Sequence, residues 1–292
     1  MNCTQCKESA VWDQPLLCKT HFCASVEERV QKTIEKEQLF LFEDKVCVAV
    51  SGGKDSLSLL LILKKQGYRV EALAVDEGIA GYRSGYLDLV KEFCSEQGIS
   101  LVVKSFSEET GKELDVWLKE GGRACTICAA FRKNILNKYS KEFSVLATGH
   151  NLDDEAQAVL MNLFRANRSL FFSLGPKSGV RKGFRQRVKP LYYLTEKELL
   201  TYAFLQGLVR EFTECPYAVD SFRGKVRDAL NRYEEEHPDV KMNIVEHYLG
   251  LKDRMSGGVV TQGSEQAFCS DCGEPCRQER CQSCILISGV AV

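Results

Sequence analysis

The chain has 292 residues, of which 44% are hydrophobic, and its formal net charge is −1 at pH 7. This length supports a full core, and no uninterrupted apolar run approaches a bilayer span, so the composition excludes a membrane protein. The first ten residues, MNCTQCKESA, lack the charged-then-apolar order of a signal peptide, which favours a cytoplasmic location. In that reducing compartment, fourteen cysteines indicate metal sites in preference to disulfides.

Two short-spaced pairs of potential metal ligands lie in the first 23 residues. Cys3-x2-Cys6 is followed, after a loop of eleven residues, by Cys18-x2-His21. Each pair supplies two ligands from a tight turn, as a tetrahedral Zn²⁺ site requires. Cys23 is an alternative to His21 as the fourth ligand. We therefore predict a structural zinc ribbon over residues 1–28.

A buried strand, a glycine turn and a helix are predicted next. Residues 45–50, KVCVAV, form an apolar run without alternation, which suits a strand covered on both faces of a parallel sheet. The leucine spacing over residues 56–65 predicts a helix. The intervening glycines lie at the helix N-terminus, where free N–H groups and the helix dipole favour phosphate.

The turn itself, SGGKDS at residues 51–56, lacks the spacing of a Walker A loop. It resembles the PP-loop, the pyrophosphate-binding motif of ATP pyrophosphatases. The resemblance implies that the loop binds ATP and that Asp55 acts through Mg²⁺ or the reacting phosphate. The implied ATP-binding residues of the loop are Ser51, Gly52, Gly53, Lys54, Asp55 and Ser56.

Three further short apolar stretches, residues 68–75, 99–104 and 143–148, alternate with helical patterns. This alternation predicts an α/β fold with a doubly wound parallel sheet. Ligands of such sheets bind beyond the carboxyl ends of the strands, where the 51–56 loop, Asp76 and TGHNLDD all fall. We therefore expect one polar crevice at this edge.

A third group of cysteines lies inside the predicted catalytic domain. Cys125-x2-Cys128 has no second pair nearby, and Cys215 is the best distant partner because Cys47 and Cys94 fit buried apolar patterns. Zinc, a redox disulfide and an iron–sulfur cluster all fit this spacing. Arg132 follows on the same helix and either neutralises charge as pyrophosphate leaves or serves a solvated surface.

The stretch GHNLDDEAQ places Asp153 and Asp154 in the first turn of a helix. One carboxylate serves as a cap for the helix dipole, and the other is expected to bind the Mg²⁺ that bridges ATP phosphates. His150 either contacts phosphate or is a structural histidine.

A basic segment without acidic residues spans residues 156–195. Eight uncompensated positive charges favour binding to a phosphate backbone. They are Arg165, Arg168, Lys177, Arg181, Lys182, Arg185, Arg187 and Lys189.

The last thirty residues repeat the zinc pattern. Cys269-x2-Cys272 and Cys281-x2-Cys284 are two ligand pairs, with Cys276 between them. We predict a second structural zinc ribbon over residues 261–292, which leaves a catalytic domain over residues 29–260.

A PP-loop domain between two zinc ribbons, with an internal Cys-x2-Cys and a later cysteine, resembles the TtuA-type tRNA uridine 2-thiolation enzymes. The matching stretches cover nearly the whole chain: SGGKDS, CTICAAFRK, ATGHNLDDEAQ, RVKPLYYLTEKELLTYA, ECPYA and ALNRYEEEHPDVK. The resemblance implies a PP-loop ATPase fold of the HUP-like class. It further implies that Cys125, Cys128 and Cys215 hold a [4Fe–4S] cluster whose fourth iron lacks a protein ligand.

The implied activity is an ATP-dependent tRNA sulfurtransferase that adenylates a uridine C2 oxygen, transfers sulfur through the cluster and forms AMP and pyrophosphate. ECPYA and ALNRYEEEHPDVK favour uridine 54, with the wobble uridine 34 as the alternative. The implied partners are tRNA, a sulfur donor (a ubiquitin-like thiocarboxylate protein, a persulfide or sulfide) and a second copy in a homodimer. Two alternatives stay open: a cysteine persulfide carrier without a cluster, and a non-catalytic zinc-ribbon adapter that binds RNA.

Overall fold

The computed structural model describes residues 1–179, 182–209, 214–218, 221–256 and 267–289. Its strands are β1 (Trp12–Asp13), β2 (Leu16–Leu17), β3 (Lys45–Val50), β4 (Arg69–Asp76), β5 (Leu101–Ser105), β6 (Val145–Thr148), β7 (Arg187–Val188), β8 (Ala267–Phe268) and β9 (Pro275–Cys276). Its first helices are α1 (Lys19–Lys36), α2 (Lys54–Lys65), α3 (Arg83–Glu96), α4 (Phe106–Thr110), α5 (Leu114–Lys119) and α6 (Ala124–Tyr139). The later ones are α7 (Leu152–Phe164), α8 (Arg168–Phe171), α9 (Glu196–Leu205), α10 (Phe222–Glu236), α11 (Val240–Ser256) and α12 (Gln282–Ile287), and a 3₁₀ helix covers Pro216–Ala218.

The central sheet has the order β5-β4-β3-β6-β7, and all neighbouring strands are parallel. The predicted doubly wound sheet is therefore confirmed. The four predicted strands match β3 to β6 within two residues at each end. β7 was not predicted, because a strand of two residues leaves no periodic signal.

Both faces of the sheet are buried, which explains why its strands read as continuous apolar runs. Val46 and Val48 of β3 belong to the core on one face, together with residues of α1, α2, α3 and α9. Cys47 points into the core on the other face, which α4, α5 and α6 cover with Phe106, Trp117 and Phe131. β3 thus contributes side chains to both cores, and this packing holds its carboxyl end in place.

A third cluster of buried side chains joins α7 to α10 and α11. Leu152 and Ala156 of α7 pack with Tyr192, Leu230 and Val245. This packing positions the N-terminus of α7 beside the carboxyl end of β6, opposite the start of α2. The two helix N-termini therefore face the same crevice.

Each terminal cysteine-rich segment forms a small hairpin. β1 pairs with β2 and β8 pairs with β9, both antiparallel. The C-terminal segment is docked on α6, where Ser283 Oγ donates to Ala130 O (3.2 Å) and Asn137 Nδ2 donates to Glu274 Oε2 (2.8 Å). At the other end, α1 runs through the predicted boundary at residue 28. Within the described ranges, every helix is too short or too polar to cross a lipid bilayer.

Candidate active site

The turn between β3 and α2 has a backbone shape that requires glycine. Gly52 has φ of +88°, and a Cβ there would lie 2.7 Å from the carbonyl oxygen of Tyr86. A Cβ on Gly149, which follows β6, would lie 2.9 Å from the backbone nitrogen of Ser56. The two loops that follow β3 and β6 are therefore in direct backbone contact.

Hydrogen bonds within the turn hold the start of α2 in place. The Ser51 N–H donates to Ser56 Oγ (3.2 Å), and Ser56 Oγ donates to Gly53 O (3.0 Å). Gly53 is the N-cap of α2, and no side chain caps this helix. The N-terminal N–H groups and the helix dipole are thus directed at the crevice, as phosphate binding requires.

The two carboxylate oxygens of Asp55 have different surroundings. Its Oδ1 is buried and accepts no hydrogen bond from the described residues, whereas Oδ2 lies 3.2 Å from Lys54 Nζ. Burial raises the pKa of Asp55 to about 6, Lys54 lowers it, and the nearby Asp154 carboxylate raises it. An orphaned carboxylate oxygen beside a phosphate-binding turn fits a Mg²⁺ ion that also holds ATP phosphates.

Asp153 and Asp154 have different surroundings. Asp153 is buried, its Oδ2 accepts the Glu196 N–H (2.8 Å), and its Oδ1 accepts a hydrogen bond from Lys241 Nζ. Both of its oxygens therefore serve to join α7 to α9 and α11. This carboxylate provides a structural link between helices.

Asp154 is the carboxylate of this pair that reaches the crevice. It forms a capping box with Asn151, and its Oδ1 accepts a hydrogen bond from Arg223 Nη2 (2.6 Å). Its charge also raises the pKa of Asp55. Carboxylates are ligands that Mg²⁺ prefers, so Asp154 is a second candidate ligand besides Asp55.

His150 and Asp76 complete the carboxyl edge of the sheet. His150 Nδ1 lies 2.8 Å from Thr148 Oγ1. Desolvation lowers the pKa of His150, Asp154 opposes this shift, and Lys189, Arg223 and Arg187 add to it. The imidazole is therefore neutral at pH 7. Asp76 ends β4, and its Oδ1 accepts the Gly78 N–H (3.0 Å).

Cys125, Cys128 and Cys215 come together on the sheet face covered by α6. Cys125 and Cys128 lie in the first turns of α6, and Cys215 directly precedes the 3₁₀ helix that packs on α6. Cys125 Sγ lies 4.0 Å from the Tyr217 carbonyl oxygen. Burial raises the pKa of the Cys128 thiol to about 11; Arg132 opposes this shift, and the other two thiols contribute to it.

Zinc-type geometry is found elsewhere in the chain. Among the described residues, three or more ligand atoms lie within 4.8 Å of one another only in Cys3, Cys6, Cys18 and His21, and in Cys269, Cys272, Cys281 and Cys284. The sulfur atoms of Cys125, Cys128 and Cys215 do not all lie within 4.8 Å of one another, so this trio lacks the compact geometry of a preformed zinc site.

The tetrads have the dimensions of a tetrahedral ion site. The sulfur atoms of Cys6 and Cys18 are 3.6 Å apart, and those of Cys272 and Cys281 are 3.7 Å apart. Zn–S bonds of about 2.3 Å place sulfur atoms about 3.8 Å apart in a tetrahedron. Cys23 lies outside the first tetrad and accepts a hydrogen bond from Gln206 Nε2 (3.2 Å), so His21 supplies the fourth ligand atom.

The guanidinium of Arg132 is engaged at the cysteine trio. Its Nη2 donates to Cys128 Sγ (3.0 Å), and its Nε donates to Glu77 Oε1 (3.0 Å). These two partners hold the Arg132 guanidinium beside Cys128. A role of Arg132 in neutralising departing pyrophosphate stays a prediction.

The basic segment is divided between internal and exposed charges. Lys189 forms an ion pair with buried Glu155 (2.7 Å), Lys177 Nζ donates to Glu37 O (2.7 Å), and Arg185 donates to Lys141 O. Arg187 is half-buried, and its charge acts on His150. The exposed members are Arg165, Arg168 and Lys182; Arg181 lies outside the described residues.

Five residues of this region were missing from the sequence-based predictions: Glu77, Arg83, Glu196, Arg223 and Lys241. Glu77 carried a usable signal, because it follows Asp76 directly at the end of a predicted strand. The other four lie in helical stretches whose charges read as solvated surface, so the sequence alone offered no signal for them.

The chain resembles known proteins over most of its length. Residues 23–232 match the family model described as a PP-loop domain. A protein of Drosophila erecta named cytoplasmic tRNA 2-thiolation protein 1 is 36% identical, over 99% of this chain and 88% of the relative. A tRNA-5-methyluridine(54) 2-sulfurtransferase of Pyrococcus horikoshii is 34% identical, over 97% of this chain and 93% of the relative.

A solved structure agrees with the sequence matches. The U34-tRNA thiolase NcsA of Methanococcus maripaludis, determined with its [4Fe–4S] cluster, superposes with a TM-score of 0.77 at 35% identity, and the match covers 87% of this chain and 88% of that one. These likenesses confirm the predicted fold class and the family resemblance. The chain belongs to the PP-loop family of tRNA 2-thiolation proteins.

Proposed function

We propose that this protein replaces the C2 oxygen of a tRNA uridine with sulfur, using ATP to activate that oxygen. The observation that carries the proposal is the position of three cysteines in an open arrangement next to a PP-loop crevice. Relatives named as tRNA 2-thiolation proteins over nearly the whole chain support the same activity. The word cytoplasmic in one of these names supports the predicted location.

ATP would bind with its phosphates at the turn 51–56. The backbone N–H groups of Gly52 and Gly53 and the free N-terminus of α2 would hold the phosphate oxygens. Asp55 and Asp154 would hold Mg²⁺ through the buried Oδ1 of Asp55 and the crevice side of Asp154. Asp153 has no role in metal binding in this proposal, because its side chain is only 5% exposed and is engaged by Glu196 and Lys241, whereas that of Asp154 is 29% exposed.

The first step joins the uridine to the nucleotide. The C2 oxygen attacks the α-phosphate of ATP, the bond to the β-phosphate breaks, and pyrophosphate leaves. The charge that develops on pyrophosphate lies at the α2 N-terminus, with Lys54 nearby. His150, neutral at pH 7, is suited to donate or accept a hydrogen bond there without adding charge.

The second step exchanges oxygen for sulfur. A sulfide sulfur forms the bond to C2, and the C2 oxygen leaves with the adenylate as AMP. A [4Fe–4S] cluster, when bound, supplies an iron without a protein ligand that can hold this sulfur. Cys125, Cys128 and Cys215 would hold the cluster, and Arg132 donates a charge-assisted hydrogen bond to Cys128.

Exposed basic residues of the segment 156–195 support tRNA as the substrate. Arg165 lies at the end of α7, its guanidinium 4.6 Å from the ring centroid of Phe222, and Arg168 and Lys182 are also exposed. Lysine and arginine side chains on one surface bind the phosphate backbone without reading its sequence.

Three finer features stay predictions. The preferred position of the modified base is uridine 54, with uridine 34 as the alternative. The sulfur donor is a ubiquitin-like thiocarboxylate protein, a persulfide or sulfide, and the assembly is a homodimer. Relatives named for each uridine resemble the chain to a similar degree. Mapping 2-thiouridine in tRNA from a deletion strain decides the position, and light scattering decides the assembly.

The test is an anaerobic assay with reconstituted protein, ATP, Mg²⁺, tRNA and sulfide. AMP is measured by chromatography and 2-thiouridine by mass spectrometry, with Asp88→Asn, an exposed aspartate paired with Lys91, as the matched control for Asp55→Asn. We expect AMP and 2-thiouridine in equal amounts, lost in Asp55→Asn only. Binding of tRNA without AMP formation would support the RNA-binding adapter. Full thiolation by iron-free protein that is supplied with a persulfide donor in place of sulfide would support the persulfide carrier.

A further inference from the structure

Three charged side chains connect the phosphate-binding turn with the cysteine trio. Glu77 lies in the loop after β4, between Arg83 at the start of α3 and Arg132 in α6. Its Oε2 lies 2.7 Å from Arg83 Nε, and its Oε1 lies 2.7 Å from Arg132 Nη2. One carboxylate thus binds two guanidinium groups, one with each oxygen.

Each guanidinium also contacts one half of the active site. Arg83 Nη1 donates to the carbonyl oxygen of Ser51, the first residue of the phosphate-binding turn, and Nε donates to Val75 O (2.9 Å). Arg132 Nη2 donates to Cys128 Sγ (3.0 Å). The chain of contacts therefore runs from the turn that holds phosphate to a sulfur of the trio.

Burial makes the inner part of this series of contacts rigid. The side chains of Glu77 and Arg83 are each 6% exposed, whereas that of Arg132 is 49% exposed. Buried charges persist only when they are paired with good geometry, and hydrogen bonds between ionised groups are stronger than neutral ones. Two cations and one anion leave one positive charge beside the sulfur of Cys128.

A second connection ties the same loop to Cys215. The Ala80 N–H donates to Asp115 Oδ2 (2.9 Å), and the Tyr217 hydroxyl donates to Asp115 Oδ1 (2.7 Å). Tyr217 lies two residues after Cys215. The loop after β4 is therefore fixed to both segments that carry the trio and, through Arg83, to the phosphate-binding turn.

We propose that Arg83, Glu77 and Arg132 form a positioning bridge through which cluster loading pre-organises the ATP site. Fixing Cys128 fixes Arg132, Glu77 and Arg83 in turn, and so fixes the Ser51 carbonyl and the turn that follows it. By linkage, a cluster that tightens nucleotide binding is itself held more tightly when nucleotide is bound. The inference rests on the proposed function, because it places the cluster at this trio.

The experiment compares nucleotide affinity in cluster-free and cluster-loaded protein, using a non-hydrolysable ATP analogue with Mg²⁺ under anaerobic conditions. The variants are Arg132→Gln and Arg132→Lys, since Arg132 is the exposed member and its replacement spares the buried pair. The matched control is Lys138→Gln, which lies on the same helix and pairs with Glu109 (2.7 Å) away from the trio. The midpoint potential of the cluster is the second readout.

In the wild type we expect cluster loading to tighten analogue binding by about five-fold or more, the lower end of typical coupling between sites. Arg132→Gln reduces this ratio to about one and makes the midpoint potential more negative, because a positive charge beside the cluster favours its reduced form. Arg132→Lys keeps the positive charge, so the midpoint potential of the cluster should stay close to the wild-type value. A lysine lacks the planar guanidinium that binds Glu77 and Cys128 at the same time, so the affinity ratio should still fall. Lys138→Gln changes neither readout.

The proposed bridge is overturned if cluster loading leaves the analogue affinity of the wild type unchanged. It is also overturned if Arg132→Gln shows the same affinity ratio as the wild type. Thiolation of tRNA is measured on the same wild-type sample to separate the two proposals. Wild-type protein that thiolates tRNA without a cluster-dependent affinity contradicts the bridge alone. Loaded protein that shows the affinity ratio but forms no 2-thiouridine contradicts the proposed function alone, and a chain that takes up no cluster contradicts both.

Discussion

The terminal tetrads and the central crevice use similar residues in opposite ways. In each tetrad the chain supplies four ligand atoms within 4.8 Å of one another, so a bound ion would have no free position. Beside the crevice, the three cysteines are more widely spaced, and among the described residues buried Asp55 Oδ1 has no partner. The closed sites serve to stabilise small hairpins. The open site keeps atoms free to bind a cofactor or a substrate.

The difference shows where this chain does chemistry. A closed tetrad stabilises a fold by binding an ion that the unfolded chain does not pre-organise. An open site costs stability, because it keeps unpaired polar groups and like charges close together in order to bind something else.

Cys128→Ser is expected to reduce tRNA thiolation by at least about 100-fold, because loss of a ligand costs at least as much as the loss of residues that merely orient ligands. Zinc content should be unchanged, since both tetrads are intact. Cys94→Ala, a buried cysteine of α3, is the matched control and should keep its iron. Iron, zinc and 2-thiouridine are measured on the same samples. Wild-type thiolation by Cys128→Ser would contradict the role of the trio.

Glu77→Ala is expected to lower the free energy of unfolding by about 3–5 kcal/mol, because it leaves buried Arg83 without its anion. Urea unfolding of the metal-loaded protein measures the change. Glu120→Ala is the control, as its ion pair with Lys112 is exposed and should contribute less than about 1 kcal/mol. Equal losses in the two variants would show that burial of the bridge contributes nothing.

Asp55→Asn is expected to raise the free energy of unfolding at pH 7 by about 2 kcal/mol while abolishing activity. Burial raises the pKa of Asp55 to about 6, above its value of about 4 in the unfolded chain. The native protein therefore binds more protons between these values, and its stability falls as the pH rises through this window. The asparagine variant should lose that dependence, as measured by urea unfolding between pH 4 and 7. Lower stability than wild type at pH 7 would contradict the open-site interpretation.

The smallest effect is expected at the N-terminal tetrad. His21→Ala should lose one of the two zinc ions, whereas Cys23→Ala should keep both, because Cys23 Sγ is engaged by Gln206. Metal analysis of the purified variants measures both outcomes. Loss of zinc in Cys23→Ala with retention in His21→Ala would reverse the ligand assignment.

Local patterns in the sequence predicted the parts of the molecule that depend on near neighbours. The apolar run of β3, the glycine turn and the cysteine pairs are all set within a few residues, so spacing alone identified them. The same reasoning located the crevice, because parallel strands bring their carboxyl ends to one edge.

Contacts between distant residues decided the rest. Asp153 and Asp154 are indistinguishable in sequence, and contacts with Glu196 and Lys241, 43 and 88 positions away, make Asp153 structural. From the sequence, Lys189 is expected to be a free basic residue, but in the structure it forms an ion pair with Glu155. Glu77 and Arg132, 55 positions apart, form their ion pair only when α6 packs beside the loop after β4.

The most direct test is thiolation by protein whose iron has been removed while its zinc is retained. The open trio requires that 2-thiouridine formation with ATP and sulfide disappears with the iron and returns on anaerobic reconstitution, with zinc content unchanged throughout. Full thiolation by the iron-free, zinc-loaded protein would contradict the assignment of the three cysteines to a catalytic cluster.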